Sequence, residues 1–248
     1  MILSYLEKLH DLQSIDDVWS HHVDKMAEFG FDRLLYGFTR FRTATSFGDR
    51  EDLLLLTNHS VEYLHEFIET GMFFHAPMVK WAAENVGACS WSWMKDHAEW
   101  LTEDEYAVVK YNKKMGITAG YSISFKEIST RSKGAIGLVA KRGTSQGEVD
   151  ALWVEHGREI LQMNNVAHLK MTTFPFPTLR RPLTKRQREV LEWVGDGKTT
   201  QDIATIMGLT SPTIEKHLRL AREALDVETT AQAVLKASYQ NQIFLLGT

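Results

Sequence analysis

Nine residues near the end of the chain, Ser211-Pro212-Thr213-Ile214-Glu215-Lys216-His217-Leu218-Arg219, restrict the fold more than any other stretch. A serine can cap the unpaired N–H groups of a helix, and proline suits the first helical position because its missing N–H costs nothing there. The sequence therefore predicts a helix starting at Pro212. At about 100° per residue, Ile214, Leu218, Ala221 and Leu225 fall on one stripe and Lys216, Arg219 and Glu223 on the opposite one. One face packs, and the other is free to enter a groove.

The neighbouring residues complete a unit. Thr199 heads a second short helix running to Met207, which Gly208 ends, and Gly208 to Ser211 form a turn into the next helix. Upstream, Thr184-Lys185-Arg186-Gln187 fits a capping box, and the helix it opens directs Val190, Leu191 and Val194 into the same small core. A fourth helix begins near Thr230. Helix, helix, turn and recognition helix in this order make a helix-turn-helix nucleic-acid-binding domain.

Three of the five prolines fall between Phe174 and Pro182, a stretch that can be neither helix interior nor central strand. We read it as a linker over 173–182, separating an N-terminal domain, 1–172, from a helix-turn-helix domain, 183–248. In the N-terminal part, apolar periodicity predicts helices around Leu3 to Leu12, Val18 to Ala27, Val61 to Thr70, Pro77 to Glu84, Glu103 to Met115 and Glu148 to Leu169. Extended patterns predict strands at Arg33 to Phe41, Leu53 to Thr57, Gly120 to Phe125 and Ala135 to Lys141. The expected class is α+β: an α/β/α sandwich on an antiparallel sheet, followed by an all-α four-helix domain.

Charge sets how such a protein would hold DNA. The net charge is -4, and from Leu183 onward eight basic residues face eight acidic ones, so bulk positive charge is not available. Affinity must rest on the local placement of Lys185, Arg186, Lys198, Lys216, Arg219 and Arg222, with Arg180 and Arg181 contributing from the linker. A neutral binding domain also favours a homodimer, which doubles the contacts. The stripe Val149, Trp153, His156, Ile160, Met163 and Ala167 is the expected pairing surface.

The same reading excludes several classes. A single cysteine, Cys89, cannot form an intrachain disulfide and is expected to be a buried thiol in a cytoplasmic protein. No apolar run is long enough to span a bilayer, so no membrane partner is expected. The ten histidines are scattered without ligand spacing, and no Gly-rich phosphate loop or nucleophile–base pairing is present. We expect no enzyme, no metal and no cofactor. A phosphorylation-driven response regulator would need paired acids at the end of the first strand, where this chain has Thr39-Arg40-Phe41.

The C-terminal third resembles the LuxR-type regulators. The pattern Leu183-Thr184-x-Arg186-x-x-Glu189-Val190-Leu191-x-Trp193, then Gly197-Lys198-Thr199, Ile203-Ala204, Thr213-Ile214, His217-Leu218, Leu225 and Gln232-Ala233-Val234, runs in register with that family. The chain departs from it at Glu228-Thr229-Thr230, where an Asn-Arg pair is common. The resemblance implies a sequence-specific transcriptional regulator that reads an inverted-repeat operator through Lys198, Thr199, Thr213, Lys216, His217, Arg219 and Arg222.

It also implies an N-terminal domain that binds N-acyl-homoserine lactones between the sheet and a helix layer, as in quorum sensing. An aromatic concentration from Tyr63 and Phe67 to Trp91 and Trp100 suits the lining of such a cavity. The expected lining is Leu35, Gly37, Thr39, His59, Tyr63, Phe67, Ala76, Met78, Trp91 and Gly137. Pro77 and Trp91 keep the family pattern, but its polar anchors are replaced. Tyr63 stands where a Trp donates to the lactone carbonyl, Phe67 and His59 where tyrosines are usual, and Gly137 near a usual Ser or Thr. Ala76 replaces the Asp that accepts the ligand's amide N–H. A buried amide left without an acceptor costs about 1 to 3 kcal/mol, roughly ten- to several-hundred-fold in affinity. The ligand expected is a small apolar signal, either an acyl-homoserine lactone held by a rearranged network or a related non-lactone molecule. The alternatives are a ligand-independent regulator and a partner that sequesters related regulators without binding DNA.

Overall fold

The computed structural model describes residues 2–43, 48–175 and 180–244. They form two compact units: Met1–Gly48 with Leu54–Met171, and Asp49–Leu53 with Thr172–Thr248. Within the predicted linker, residues 176–179 lie outside the described residues.

The first unit opens with α1 (Ile2–Asp11) and α2 (Ile15–Glu28), the latter capped by Ser14, whose hydroxyl accepts the Asp17 N–H. Gly30, at φ 91°, turns the chain into β1 (Phe31–Thr39). With β2 (Leu54–Thr57), β3 (Gly87–Ser90), β4 (Gly120–Ser124) and β5 (Lys133–Ala140) it builds one five-stranded sheet of order β2-β1-β5-β4-β3. Every pair is antiparallel. β3 was not anticipated, because its four residues, Gly-Ala-Cys-Ser, include no β-branched or aromatic side chain to signal a strand.

Strand alternation gives the sheet two unlike faces. On one, Leu34, Tyr36, Ile123 and Leu138 are fully buried, Ile136 is 1% exposed and Phe38 3%. This face is covered by α2 and by α7 (Gln146–Met171), with α1 packed across them. Trp153 stacks on Tyr121 at 3.8 Å, and His168 links the Tyr36 hydroxyl, 2.9 Å from its Nδ1, to Glu127, 3.0 Å from its Nε2. Beneath α1, the Tyr5 hydroxyl meets His22 Nδ1 at 2.8 Å, and His22 Nε2 lies 3.0 Å from Asn164 Oδ1. The α7 stripe expected to pair two protomers is thus used internally. Val149, Ile160, Met163 and Ala167 are at most 3% exposed, and His156 packs on Phe29. The periodicity was correct, but its burial is intramolecular.

On the other face lie α3 (Val61–Leu64), α4 (Pro77–Glu84) and α6 (Glu103–Lys114), with the short α5 (Trp93–Asp96) preceding α6. The helix predicted over Val61 to Thr70 is regular only to Leu64 and widens to a π-type turn over His65–Glu69. Ser124 Oγ reaches the Asn85 carbonyl at 2.7 Å, fixing the end of α4 to this side of the sheet.

In the second unit, α8 (Lys185–Gly195), α9 (Thr200–Met207), α10 (Ser211–Leu225) and α11 (Thr230–Tyr239) enclose Val190, Leu191, Ile203, Ile214, Ala221, Ala233 and Ala237, all fully buried. Thr184 with Gln187, Thr199 with Asp202 and Thr229 with Gln232 form capping boxes, and Gly208 ends α9 at φ 64°. Thr229, within the stretch that departs from the family pattern, caps α11. The start of α10 differs from expectation. Thr210 occupies the capping position, while Ser211 and Pro212 are already helical, so Pro212 is second in the helix.

Residues 49–53 belong to this second unit although in sequence they join β1 to β2. Asp52, 5% exposed, accepts from Arg180 Nε at 2.9 Å, Lys236 Nζ at 2.6 Å and Gln240 Nε2 at 3.1 Å. Arg180 also pairs with Asp49, with Glu51 at 3.0 Å and with Asp226 at 3.3 Å. Its guanidinium is committed to carboxylates and is not the phosphate contact expected from the linker.

A methyl on Gly120 would lie 2.1 Å from the Leu138 carbonyl oxygen and 3.0 Å from the Trp91 ring. Gly120→Ala should destabilise the first unit by about 1–3 kcal/mol through overpacking. Urea unfolding would test this, and an unchanged midpoint would mean that β4 and β5 can separate there at no cost.

Candidate functional site

The second face of the sheet is where most of the expected ligand residues converge. The register sets Thr57, Leu35, Gly137, Ser122 and Cys89 in one row across the strands, and Leu55, Gly37, Ala135, Ser124 and Gly87 in the next. Leu35, Gly37, Ala135 and Gly137 of the inner strands β1 and β5, and Leu55, Thr57 and Cys89 of the edge strands, are only partly buried. A methyl built on Gly137 would meet nothing nearer than 4.0 Å. Glycine in the middle of a strand weakens it, and marks a place where something else can approach the backbone.

The helix layer is held at its margins. Lys133 Nζ joins Ser124 at the Asn85 carbonyl, 2.8 Å away, and Arg33 bridges the carbonyls of Gly116 (3.1 Å) and Ala140 (2.8 Å). Lys80 reaches Glu105 at 3.2 Å, tying α4 to α6. Trp91 lies along the floor: its ring approaches the Cβ directions of Gly120 and Gly137, and its Nε1 donates to Ser122 Oγ at 3.0 Å.

Over this floor, His59, Tyr63 and Phe67 form a ladder, each four residues after the last. Ring centroids are 4.6 Å apart for His59 and Tyr63 and 5.0 Å for Tyr63 and Phe67, and Tyr111 of α6 stacks on Tyr63 at 5.7 Å. Tyr63 and Phe67 are 4% exposed. The Tyr63 hydroxyl donates to Asn112 Oδ1 at 3.1 Å, and burial holds its pKa well above the ordinary phenol range. Burial, aided by Arg33, pushes the His59 pKa down to about 4, so the imidazole is neutral at pH 7.

The remaining expected residues divide. Met78 is half-buried on α4, and Ala76, 5% exposed, precedes that helix without a side-chain cap. Thr39 is 2% exposed and its hydroxyl accepts the Phe41 N–H, so it closes the strand end and offers nothing to the open face. Cys89 is half-buried on the open face, not enclosed as expected, and burial raises its pKa to about 11, which keeps it a thiol. Asn112 and Arg33 were missed. Neither matches a motif, and only the folded register brings them to this layer.

On the second unit, Lys216 and Arg219 stand exposed on the outer face of α10, and Lys198 is exposed just before α9. Arg219 is paired with Glu223 at 2.5 Å. The Thr199 N–H and hydroxyl are both spent on Asp202, at 3.0 and 2.6 Å, and the Thr213 hydroxyl meets that of Thr210 at 2.9 Å. Thr200 donates to Glu215 at 2.8 Å, bracing α9 against α10. His217 is half-buried. Arg222 is half-buried too and donates to Thr230 Oγ1 at 2.9 Å, so it holds the start of α11 and is turned away from the outer face. Among the described residues, no group of three or more His, Cys, Asp or Glu is placed to hold a metal ion.

Residues 14–171 match the family described as the autoinducer binding domain, and residues 181–237 match the bacterial regulatory proteins of the luxR family. Curated relatives include the transcriptional activator protein LuxR of Aliivibrio fischeri, 23% identical over 76% of this chain and 74% of the relative. The transcriptional activator protein SolR of Ralstonia nicotianae is 24% identical over 92% of each. Among solved structures, Escherichia coli SdiA superposes with a TM-score of 0.53 at 14% identity, covering 98% of both chains. A structure of SdiA in complex with octanoyl-rac-glycerol gives 0.52 at 13% identity, covering 96% of this chain and 93% of that one.

The neutral His59 has a consequence for stability. Between pH 6.5 and about 4 the unfolded chain takes up a proton that folded His59 refuses, so stability should fall as pH falls through that window. His59→Gln should remove about 1 kcal/mol of the loss between pH 7 and 5, allowing for partial exposure. Denaturant unfolding at the two pH values measures it, and an equal loss in both proteins would show that folded His59 accepts the proton.

Proposed function

The chain belongs to the LuxR-type bacterial regulators that carry an autoinducer-binding domain, and from that premise we propose that the open sheet face of its first unit holds the small apolar signal to which DNA binding responds. It is a transcriptional regulator with a helix-turn-helix domain, and its relatives are transcriptional activators. The observation carrying the ligand reading is the asymmetry of the sheet: one face buried to 3% or less at its centre, the other accessible above Gly137. A recess floored by small residues, walled by aromatic rings and edged with few polar groups suits an apolar ligand.

The neutral charge balance of the helix-turn-helix domain supports action as a homodimer on an inverted-repeat operator, with Lys198, Lys216 and Arg219 as its contacts. No described helix is long and apolar enough to cross a membrane, and work on DNA supports a cytoplasmic location. The tight packing of Tyr63 and Phe67 favours one further reading, a regulator whose first unit folds fully without ligand.

Native mass spectrometry of the whole protein from its host, followed by release and analysis of any bound molecule, separates the two. A stoichiometric small apolar molecule supports the receptor reading, whereas an empty, folded protein that binds its operator would overturn it. On the DNA side, Arg219→Ala should cost about 1–3 kcal/mol and relax base preference. Uniform weakening over all sequences in a competition assay would make Arg219 a phosphate contact instead.

A further inference from the structure

Resting on the reading of the second unit as the part that binds DNA, we infer that Glu215 of α10 is a specificity-determining residue of the operator contact, and that it reads the amino group of a cytosine in the major groove. The second helix of a helix-turn-helix enters that groove, and residues in its N-terminal part meet the base edges. In α10 this part buries Ile214 and Leu218 and exposes Pro212, Glu215, Lys216 and Arg219. Glu215 is the acid among the exposed ones, one turn before Arg219 and on the same side of the helix.

The first helix of the motif fixes where the carboxylate is held. Thr200, the first residue of α9, donates its hydroxyl to Glu215 Oε1 at 2.8 Å. That helix crosses the DNA backbone in this docking geometry, and a helix N-terminus is the end that suits a phosphate. Glu215 is thus braced at the edge where backbone contact gives way to the groove. Its Oε2 has no partner among the described residues, and Arg219 pairs with Glu223 on the following turn, not with Glu215. An acid at this place opposes the phosphates, in a unit whose eight basic and eight acidic residues leave no surplus attraction. What it can supply is discrimination.

A carboxylate at pH 7 only accepts hydrogen bonds, so it is repelled by guanine N7 and O6 and by thymine O4 and attracted to the amino groups of cytosine and adenine. Adenine N6 lies between two acceptors, its own N7 and the O4 of the paired thymine. Cytosine N4 has an acceptor on one side alone, the O6 of its paired guanine, and is the better partner. Four helical residues span about 6 Å, close to two base-pair steps of 3.4 Å, so the bases read by Glu215 and Arg219 fall about two positions apart.

The test is selection from a randomised duplex library, with the full-length protein and its variants produced in the host so that any signal is present. Wild type should select a cytosine at one position of each half-site, about two steps from the base pair whose preference Arg219→Ala relaxes. Glu215→Gln keeps an oxygen for Thr200 but gains N–H donors. It should move the preference at that one position from cytosine to adenine by about tenfold, since an amide pairs with adenine N6 and N7. Glu215→Ala should lose the preference there, keep it elsewhere and bind non-operator DNA more tightly. Circular dichroism checks the fold, and Glu215→Gln, which keeps the brace, carries the test if Glu215→Ala does not fold. If both variants select the same bases as wild type, or weaken evenly over all sequences, Glu215 only braces α9 against α10 and the inference falls while DNA binding stands. If wild type selects no sequence, the operator reading falls and takes this inference with it.

Discussion

The antiparallel register of β1 with β5 is the constraint on which the rest of the first unit depends. It places Leu35 opposite Gly137 and Gly37 opposite Ala135, and so brings Gly37, Ala135 and Gly137 together on one face. The same alternation sends Leu34, Tyr36, Ile136 and Leu138 to the other, where α7 covers them. Shifting the pairing by one residue would exchange the faces completely. A core and a recess therefore come from one pattern, and the recess needs no separate structural device. On the small-residue side, Ser124, Lys133 and Arg33 tie the helix layer to the sheet.

In the second unit the governing interaction is the buried carboxylate of Asp52. Three donors converge on it, and a charge so enclosed is tolerable only when every partner is present. This fixes which basic residues can reach a nucleic acid. Arg180 and Lys236 are consumed by the cluster and Arg222 is turned to Thr230, which leaves Lys198, Lys216 and Arg219, with Lys185, Arg186 and Arg188 of α8, as exposed basic residues of the unit. Arg219 is itself held by Glu223, which means that contact with a base must first displace an intrahelical partner.

Local signals made much of the second unit legible: the caps Thr184 and Thr199 are read directly from spacing, whereas the last helix was placed only near Thr230 and its cap, Thr229, emerges in the fold. The start of α10 was misplaced by one residue because Thr210 and Ser211 are equally able caps, and proline is accepted in the first turn at either position. The other four strands were visible from alternation and β3 was not, since Gly-Ala-Cys-Ser forms a strand only through its partner β4. The α7 stripe shows the limit of periodicity. It announces a buried face but not whether the covering surface belongs to the same chain. Asn112 and Asp52 were invisible for a related reason: a polar residue acquires its role from neighbours 49 and 188 positions away, such as Tyr63 and Gln240, and no local pattern encodes that meeting.

The replacements in the helix layer form a coherent set when read through hydrogen bonding. Ala76 before Pro77 offers no side-chain acceptor, the Tyr63 hydroxyl occupies Asn112 Oδ1, and a His59 pKa of about 4 leaves a neutral imidazole with one nitrogen to donate and one to accept. What remains on these side chains is uncharged at pH 7 and can both donate and accept. In a cavity with few polar atoms, affinity for the apolar part of a ligand grows with the area it buries and discriminates poorly among tails, whereas one unmatched polar group is enough to reject a head. The identity of the head is therefore set by very few atoms. The Tyr63–Asn112 hydrogen bond joins α3 to α6, so this polar pair also holds the helix layer together.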